Sequence, residues 1–281
     1  MELIKDYKHN DALRLSLGAL AKETFSLGLE EWYQAGFWNE SYIPYSLVED
    51  GKVLANVSAN TVSMIFDGKP MTAVLIGTVM TDKAHRGRGY SARLLNAVLE
   101  EYREEVDMIY LFANTSVLSF YPKFGFVPRE EWQCFIQLAD ISPKTEPFYT
   151  LDIHKPDDLA LVQRLITSGK PADKRLRVTS NDSLILYYCI NGLNGALRYY
   201  PGSDTLVFFE DGLLLDYYSS SGLSLQGAAA LLNEGQGELS LGFTPPDEHL
   251  PLRWQPYDDH LFVLGGEALT GRFMFHSLSR A

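Results

Sequence analysis

Apolar positions recur along the chain with two periods, and the switches between them predict an ordered series of strands and helices. Residues 2–6 (ELIKD) read as a first strand. Asn10–Asp11 supplies a helix N-cap ahead of Leu13, Leu17, Leu20 and Ala21 on one face. Three strands follow, Tyr45–Glu49, Lys52–Phe66 and Thr72–Met80, separated by the hairpin signals Asp50-Gly51 and Asp67-Gly68. This antiparallel meander runs into a basic turn, His85–Gly89. The turn opens an amphipathic helix, Ser91–Arg103, with Leu94, Leu95, Val98 and Leu99 on one face. A strand at Met108–Ala113, a short helix at Val117–Tyr121 stopped by Pro122, and a strand at Gln133–Leu138 end this first unit.

The prolines and polar residues of Ile141–Pro147 break periodicity and mark a linker. Beyond it the pattern predicts a strand at Tyr149–Ile153 and a helix at Pro156–Ile166. Strands are then expected at Leu184–Asn191, Ala196–Tyr200, Thr205–Glu210 and Leu213–Ser219, separated by Asn-Gly, Pro-Gly and Asp-Gly turns. A helix at Leu225–Leu232 and strands at Glu238–Phe243 and His260–Leu264 follow. The order repeats that of the first unit, and Phe124-Gly-Phe-Val-Pro128 is echoed by Leu241-Gly-Phe-Thr-Pro245. The expectation is a mixed α/β chain with a mostly antiparallel central sheet flanked by helices, in two domains, 1–140 and 148–281.

Composition narrows the function classes. An apolar content of 46% supports packed cores, and the net charge of −12, spread over both halves, argues against nucleic-acid binding. No run reaches the ~18 apolar residues of a membrane span, and MELIKDYKHND lacks a signal-peptide core. A soluble, cytoplasmic protein without a membrane partner is expected. Cys134 and Cys189 sit in strand-like runs without metal or redox spacing, and the six histidines lack zinc-ligand spacing. Buried reduced thiols and no metal are expected.

The chemistry concentrates in Thr72–Ala92. A strand feeding a Gly/Arg turn onto a helix start makes an anion site, because first-turn N–H groups lack partners and the helix dipole is positive there. Arg86 and Arg88 add charge-assisted donors. Residues Arg86-Gly-Arg-Gly-Tyr-Ser91 resemble the coenzyme-A loop of GNAT superfamily N-acetyltransferases, Arg/Gln-x-x-Gly-x-Gly/Ala, with Ser91 where Gly or Ala is usual. Asn114, Tyr121, Gly125 and Phe126 match that superfamily's Asn…Tyr-x-x-Leu/Phe-Gly-Phe segment in spacing. The phrasing IGTVMTDKAHRGRGYSARLL is most similar to the enhanced-intracellular-survival group. Its members pair a catalytic GNAT domain with a degenerate second one and usually add a sterol-carrier-like third, which is not expected in this sequence.

The resemblance implies an acetyl-CoA-dependent transfer to a primary amine of a small molecule or peptide by direct attack in a ternary complex. Backbone groups of Val79, Met80 and Thr81 would pair with pantetheine and polarise the thioester. The N–H groups of Arg86, Gly87, Arg88, Gly89, Tyr90 and Ser91 would hold the pyrophosphate. Tyr121 would protonate the leaving sulfur, and Asn114 would place the coenzyme or the short helix. Each has a plain structural alternative: solvated turn charges, a packing tyrosine, a strand-end asparagine. Glu40, Glu49 and Asp82 are the nearest carboxylates to a general base, and each also reads as a surface acid.

Two other readings compete. Gly87-Arg-Gly-Tyr-Ser-Ala92 satisfies the dinucleotide fingerprint G-x-G-x-x-G/A, but the ribose-binding acid expected ~20 residues on is missing, since Asp107 precedes the next strand and Asn114 ends it. A coenzyme-A or acyl-CoA sensor without turnover is the non-enzyme alternative. The second unit has Ser219-Ser-Ser-Gly-Leu-Ser224 where the loop should be, so it is expected to bind no coenzyme and to shape the acceptor site or a homo-oligomer interface. The stretch Phe25–Tyr42 mixes aromatics with Glu23, Glu30, Glu31 and Glu40 at and near its start and end. It reads either as a helix–loop packed on a sheet or as a wall for an organic cation such as a polyamine or amino sugar.

Overall fold

The structure is a computed structural model and describes residues 1–171, 174–179, 182–193, 195–235, 237–246 and 250–280. The first half contains β1 (Glu2–Lys5), α1 (Asp11–Phe25), α2 (Glu30–Gln34), β2 (Tyr42–Glu49), β3 (Lys52–Phe66), β4 (Lys69–Thr81), α3 (Tyr90–Tyr102), β5 (Met108–Phe112), β6 (Val127–Pro128) and β7 (Glu131–Gln137). The second contains β8 (Tyr149–Thr150), α4 (Pro156–Ser168), β9 (Lys170–Pro171), β10 (Leu176–Val178), α5 (Asp182–Asn191), β11 (Leu197–Tyr200), β12 (Thr205–Glu210) and β13 (Leu213–Ser219). It ends with α6 (Leu225–Leu232), β14 (Glu238–Leu241), β15 (Leu252–Tyr257) and β16 (Leu261–Gly265).

Local signals account for most of these elements. The Asn10 side chain accepts from the Leu13 N–H and starts α1. Asp50-Gly51, Asp67-Gly68 and Asp211-Gly212 turn one strand into the next, and all six residues have positive φ, as a type I′ hairpin requires. Leu184–Asn191, expected as a strand, lies instead within helix α5. An unbroken apolar run of that length has no period to distinguish a buried helix from a buried strand. The short helix expected at Val117–Tyr121 is two 3₁₀ turns, Thr115–Val117 and Tyr121–Phe124.

Two mostly antiparallel sheets form among the described residues. One runs β1-β2-β3-β4-β5-β16-β6, with β10 pairing on β3. The other runs β15-β7-β14-β13-β12-β11-β8, with β9 pairing on β13. The parallel neighbours are β4–β5 and β13–β14. The internal repeat is therefore visible in the topology, with one exchange. Strand β16 pairs with β5, Val263 opposite Tyr110, and β7 pairs with β14, Leu239 opposite Ile136. Each half completes the other's sheet, so a cut at residue 140 leaves neither sheet whole.

In β4 the side chains alternate between two cores. Val74 and Ile76 pack with Leu94, Leu95, Val98 and Leu99 of α3. Ala73 and Leu75 face the other way, toward Phe273 and Phe275 of the C-terminal segment. Helix α1 covers Val53 and Met80 through Leu13, Leu17 and Leu20. In the second sheet α6 packs on one face and α4 and α5 on the other. Cys134 and Cys189 are buried free thiols, and burial pushes both up to about 12. No described helix is long and apolar enough to cross a membrane.

Candidate active site

Strands β4 and β5 pair from Ala73–Met108 to Leu75–Tyr110 and then part. Beyond Leu75 the edge of β4 facing β5 has no ladder partner among the described residues, and peptide groups at such an edge need hydrogen-bond partners. A cavity of about 720 Å³ opens there. Its walls include Ile76–Thr81 of β4, His85, Arg86, Gly87 and Gly89–Ala92 of the loop and helix start, Phe112 at the end of β5, and Asn114, Phe120 and Tyr121 beyond it.

A bulge shapes the β4 wall. Ser58 pairs with Gly77 but Asn56 pairs with Met80, so β4 carries one extra residue at Thr78–Val79. Thr78 sits at φ +44°, a conformation that β-branched residues rarely adopt. Its side chain is held by a ring of hydroxyls. Thr78 Oγ1 donates to Ser58 Oγ (2.6 Å), Ser58 Oγ donates to Tyr42 Oη (2.9 Å), and Tyr42 Oη closes on Thr78 Oγ1 (3.0 Å). Asn56 Nδ2 donates to Thr78 O (3.0 Å). These four side chains fix the strained turn of the strand that bends backbone toward the cavity. Sequence reading missed them. The signal was present in β3, where Asn56, Ser58 and Asn60 put a polar row, two residues apart, on a buried apolar strand.

The loop forms as its glycines dictate. Gly87 and Gly89 have φ of +76° and +77°, and Gly89 is the N-cap of α3 with no side-chain cap. The first N–H groups of α3 are thus free to meet an anion. The carboxylate of Asp82 starts the preceding turn by accepting from the Ala84 N–H (3.0 Å). It also lies 2.7 Å from Lys52 Nζ and 2.9 Å from His85 Nδ1. Lys52 and His85 hold that carboxyl below the usual range. Ser91 Oγ and Thr81 Oγ1 are 2.9 Å apart, which ties the helix start to the end of β4. The serine in place of Gly or Ala therefore turns its hydroxyl onto the strand.

Of the residues singled out from sequence, Val79, Met80, Thr81, Arg86, Gly87, Gly89, Tyr90, Ser91, Asn114 and Tyr121 all line this cavity. Arg88 does not; it is exposed, and its guanidinium donates to Ala84 O at 3.4 Å. Asn114 is exposed at the end of β5 and leads into the 3₁₀ turn, Val117 N–H donating to its carbonyl. Tyr121 is 5% exposed, and burial pushes its phenol up to about 12, so it keeps its proton at neutral pH.

None of the carboxylates considered as a base lines the cavity. Glu40 pairs with Lys8, Glu49 with the N-terminal amine, and Asp82 with Lys52 and His85. The Phe25–Tyr42 stretch takes its packed form: Trp32, Trp38 and Tyr42 are buried, while Glu30 is paired with Arg14. Asp107, the acid nearest to a dinucleotide pattern, accepts from the Thr72 N–H and hydroxyl at the end of β5 away from the cavity. Among the described residues no three His, Cys, Asp or Glu side chains cluster as metal ligands.

Residues 3–129 match the family model described as an acetyltransferase (GNAT) domain. No protein of curated function matches the sequence significantly. Solved structures with a similar fold include a GCN5-related N-acetyltransferase from Anabaena variabilis ATCC 29413 (TM-score 0.57, 14% identity, covering 93% of this chain and 72% of that one). Eis1 from Mycobacterium abscessus is similar at TM-score 0.54 and 14% identity, over 94% of this chain and 73% of that one. So is a conserved protein from Enterococcus faecalis V583 described as a probable N-acyltransferase, at TM-score 0.54 and 14% identity, over 93% and 72%. At this identity the likeness concerns the fold.

Proposed function

We propose that this protein, whose residues 3–129 match the acetyltransferase (GNAT) domain model, uses acetyl-CoA to acetylate a primary amine by direct attack in a ternary complex. One observation carries the reading: a single cavity joins the free edge of β4, the uncapped start of α3 and the Tyr121 side chain. A coenzyme needs all three, because it presents a pantetheine amide chain, a pyrophosphate and a departing thiolate.

In this reading the peptide groups of Val79, Met80 and Thr81 pair with pantetheine and polarise the thioester carbonyl. Developing negative charge on its oxygen is stabilised by fixed donors that need no reorganisation. The N–H groups from Gly87 to Ser91, with Arg86, hold the pyrophosphate. Tyr121, still protonated at neutral pH, gives its proton to the leaving sulfur, and Asn114 positions the turn that carries it.

The test is thiol release from acetyl-CoA with a panel of amines, beside calorimetry with coenzyme A and with NAD. Tyr121→Phe should lower kcat by about 10²-fold or more while coenzyme affinity stays within about twofold. Equal turnover in that variant would remove Tyr121 from the mechanism, and NAD binding without coenzyme-A binding would remove the reading.

A further inference from the structure

Across Thr78 from the first cavity lies a second, smaller one of about 150 Å³, and the two share Leu27 and Thr78 as a common wall. It is built by both halves of the chain. Trp32 and Tyr42 face Leu184, Tyr187 and Tyr188 of α5. Trp32 meets Tyr42 and Tyr187 edge-on, with ring centroids 5.4 and 5.6 Å apart. The Trp32 indole N–H donates to Ser183 O (2.9 Å) and the Ser183 hydroxyl donates to Phe37 O (2.6 Å), which pins α5 over the cavity. Among the described residues no carboxylate lines it. Its one charged lining residue among those described is Arg280, whose Nη1 and Nη2 groups donate to Glu131, Asp259 and the Phe275 carbonyl while its Nε–H meets no acceptor among the described residues.

Resting on the acetyltransferase reading of the first cavity, we propose that the second cavity holds the acceptor, and that the acceptor is a primary amine on a compact apolar body the size of one aromatic ring. Size supports this: an apolar protein cavity of about 150 Å³ accepts benzene. Charge supports it too. Burial without a carboxylate partner, beside an arginine, disfavours an ammonium, so the amine enters as the neutral nucleophile. That removes the need for a carboxylate base, which neither cavity offers among the described residues. A polyamine would instead bury further ammonium groups with no carboxylate in the described lining to pair with them, each at a substantial desolvation cost, and an amino sugar carries several polar groups into a wall that is mostly apolar. On this proposal Trp32 and Tyr42 of the Phe25–Tyr42 stretch face the acceptor, and none of the stretch's acids lines the cavity.

The step balances within these parts. The amine nitrogen bonds to the acetyl carbon as the C–S bond breaks. The sulfur takes the Tyr121 proton, and the amine releases one proton to solvent, from which the phenol is reprotonated. The products are the amide and free coenzyme A.

Thiol release by the full chain is measured with benzylamine, spermidine and kanamycin, with coenzyme-A calorimetry alongside. The expected kcat/KM for benzylamine exceeds the others by about 100-fold. Tyr187→Trp, which fills the cavity, should raise the benzylamine KM about tenfold and leave coenzyme affinity unchanged; Leu184→Phe tests the same wall with a smaller change. Coenzyme binding with preferred turnover of spermidine or kanamycin, no turnover of benzylamine, or an unchanged KM in both filling variants would overturn the proposal. Failure to bind coenzyme A would instead overturn the reading on which it rests.

Discussion

Helices α3 and α6 each follow a strand that pairs in parallel with the next, but they begin differently. Helix α3 starts at Gly89, with bare N–H groups. Helix α6 starts at Ser224, whose hydroxyl accepts from the Gly227 N–H at 3.1 Å. The strands before them differ in the same sense. Both β4 and β13 carry a bulge where they leave their parallel neighbour. In the first half the bulge faces a cavity. In the second, Leu215 O accepts from His276 Nε2 (3.1 Å), and Leu214 O accepts from the Gly242 N–H (2.8 Å). The Ser277 N–H then donates to Gly242 O (2.7 Å), so the C-terminal segment fills the splay. Behind it, Asp216 lies 2.8 Å from Lys174 Nζ and 3.1 Å from His276 Nε2, all three buried. The same supersecondary device is thus left open for a ligand in one half and satisfied by the chain's own groups in the other. On our reading only the first half holds coenzyme, and the second contributes α5 to the acceptor cavity.

The largest expected effect comes from separating the halves. Residues 1–140 lack β16, which lies between β5 and β6, and they retain β7 without its partners. This fragment should show no cooperative unfolding transition in urea and no coenzyme binding, and co-expression with 141–281 should restore both. A stable, coenzyme-binding fragment would mean that the strand exchange is dispensable.

A smaller effect is expected from acid. Burial and Lys174 hold His276 below its ordinary value, so it is neutral in the folded chain. Below about pH 6.5 the unfolded chain takes up a proton that the folded chain refuses. Stability should therefore be full above that pH and fall, by up to ~1.4 kcal/mol per pH unit, until the folded value is reached. His276→Gln should flatten this part of the urea-midpoint profile between pH 7 and 5. The smallest effect belongs to Ser224→Ala, which should cost ~1 kcal/mol of stability through the lost cap and leave coenzyme affinity unchanged.

How much of this was legible from sequence follows the range of each interaction. The Asp-Gly hairpins, the α1 cap and the Gly87/Gly89 turn are encoded by adjacent residues. The full ranges of β3, β12, β13 and α6 follow from periodicity bounded by such turns. The strand exchange leaves no local trace, because β7 and β16 look alike whichever sheet receives them. Helix α5 lacks a polar face because it is buried between Trp32 and the second sheet. The ring around Thr78 joins residues 20 and 36 positions away in sequence, so only the polar row along β3 hinted at it. The aromatic stretch was readable as aromatic, but the pairing of Glu30 with Arg14 and Glu40 with Lys8 decides what that aromatic surface can bind.

The most direct test of the comparison is the stoichiometry of coenzyme-A binding by calorimetry, for the intact chain and for a variant carrying Arg86→Ala and Arg88→Ala. One site per chain is predicted, lost altogether in the variant. Two sites, or one site surviving both substitutions, would contradict the assignment of the open helix start to the first half alone.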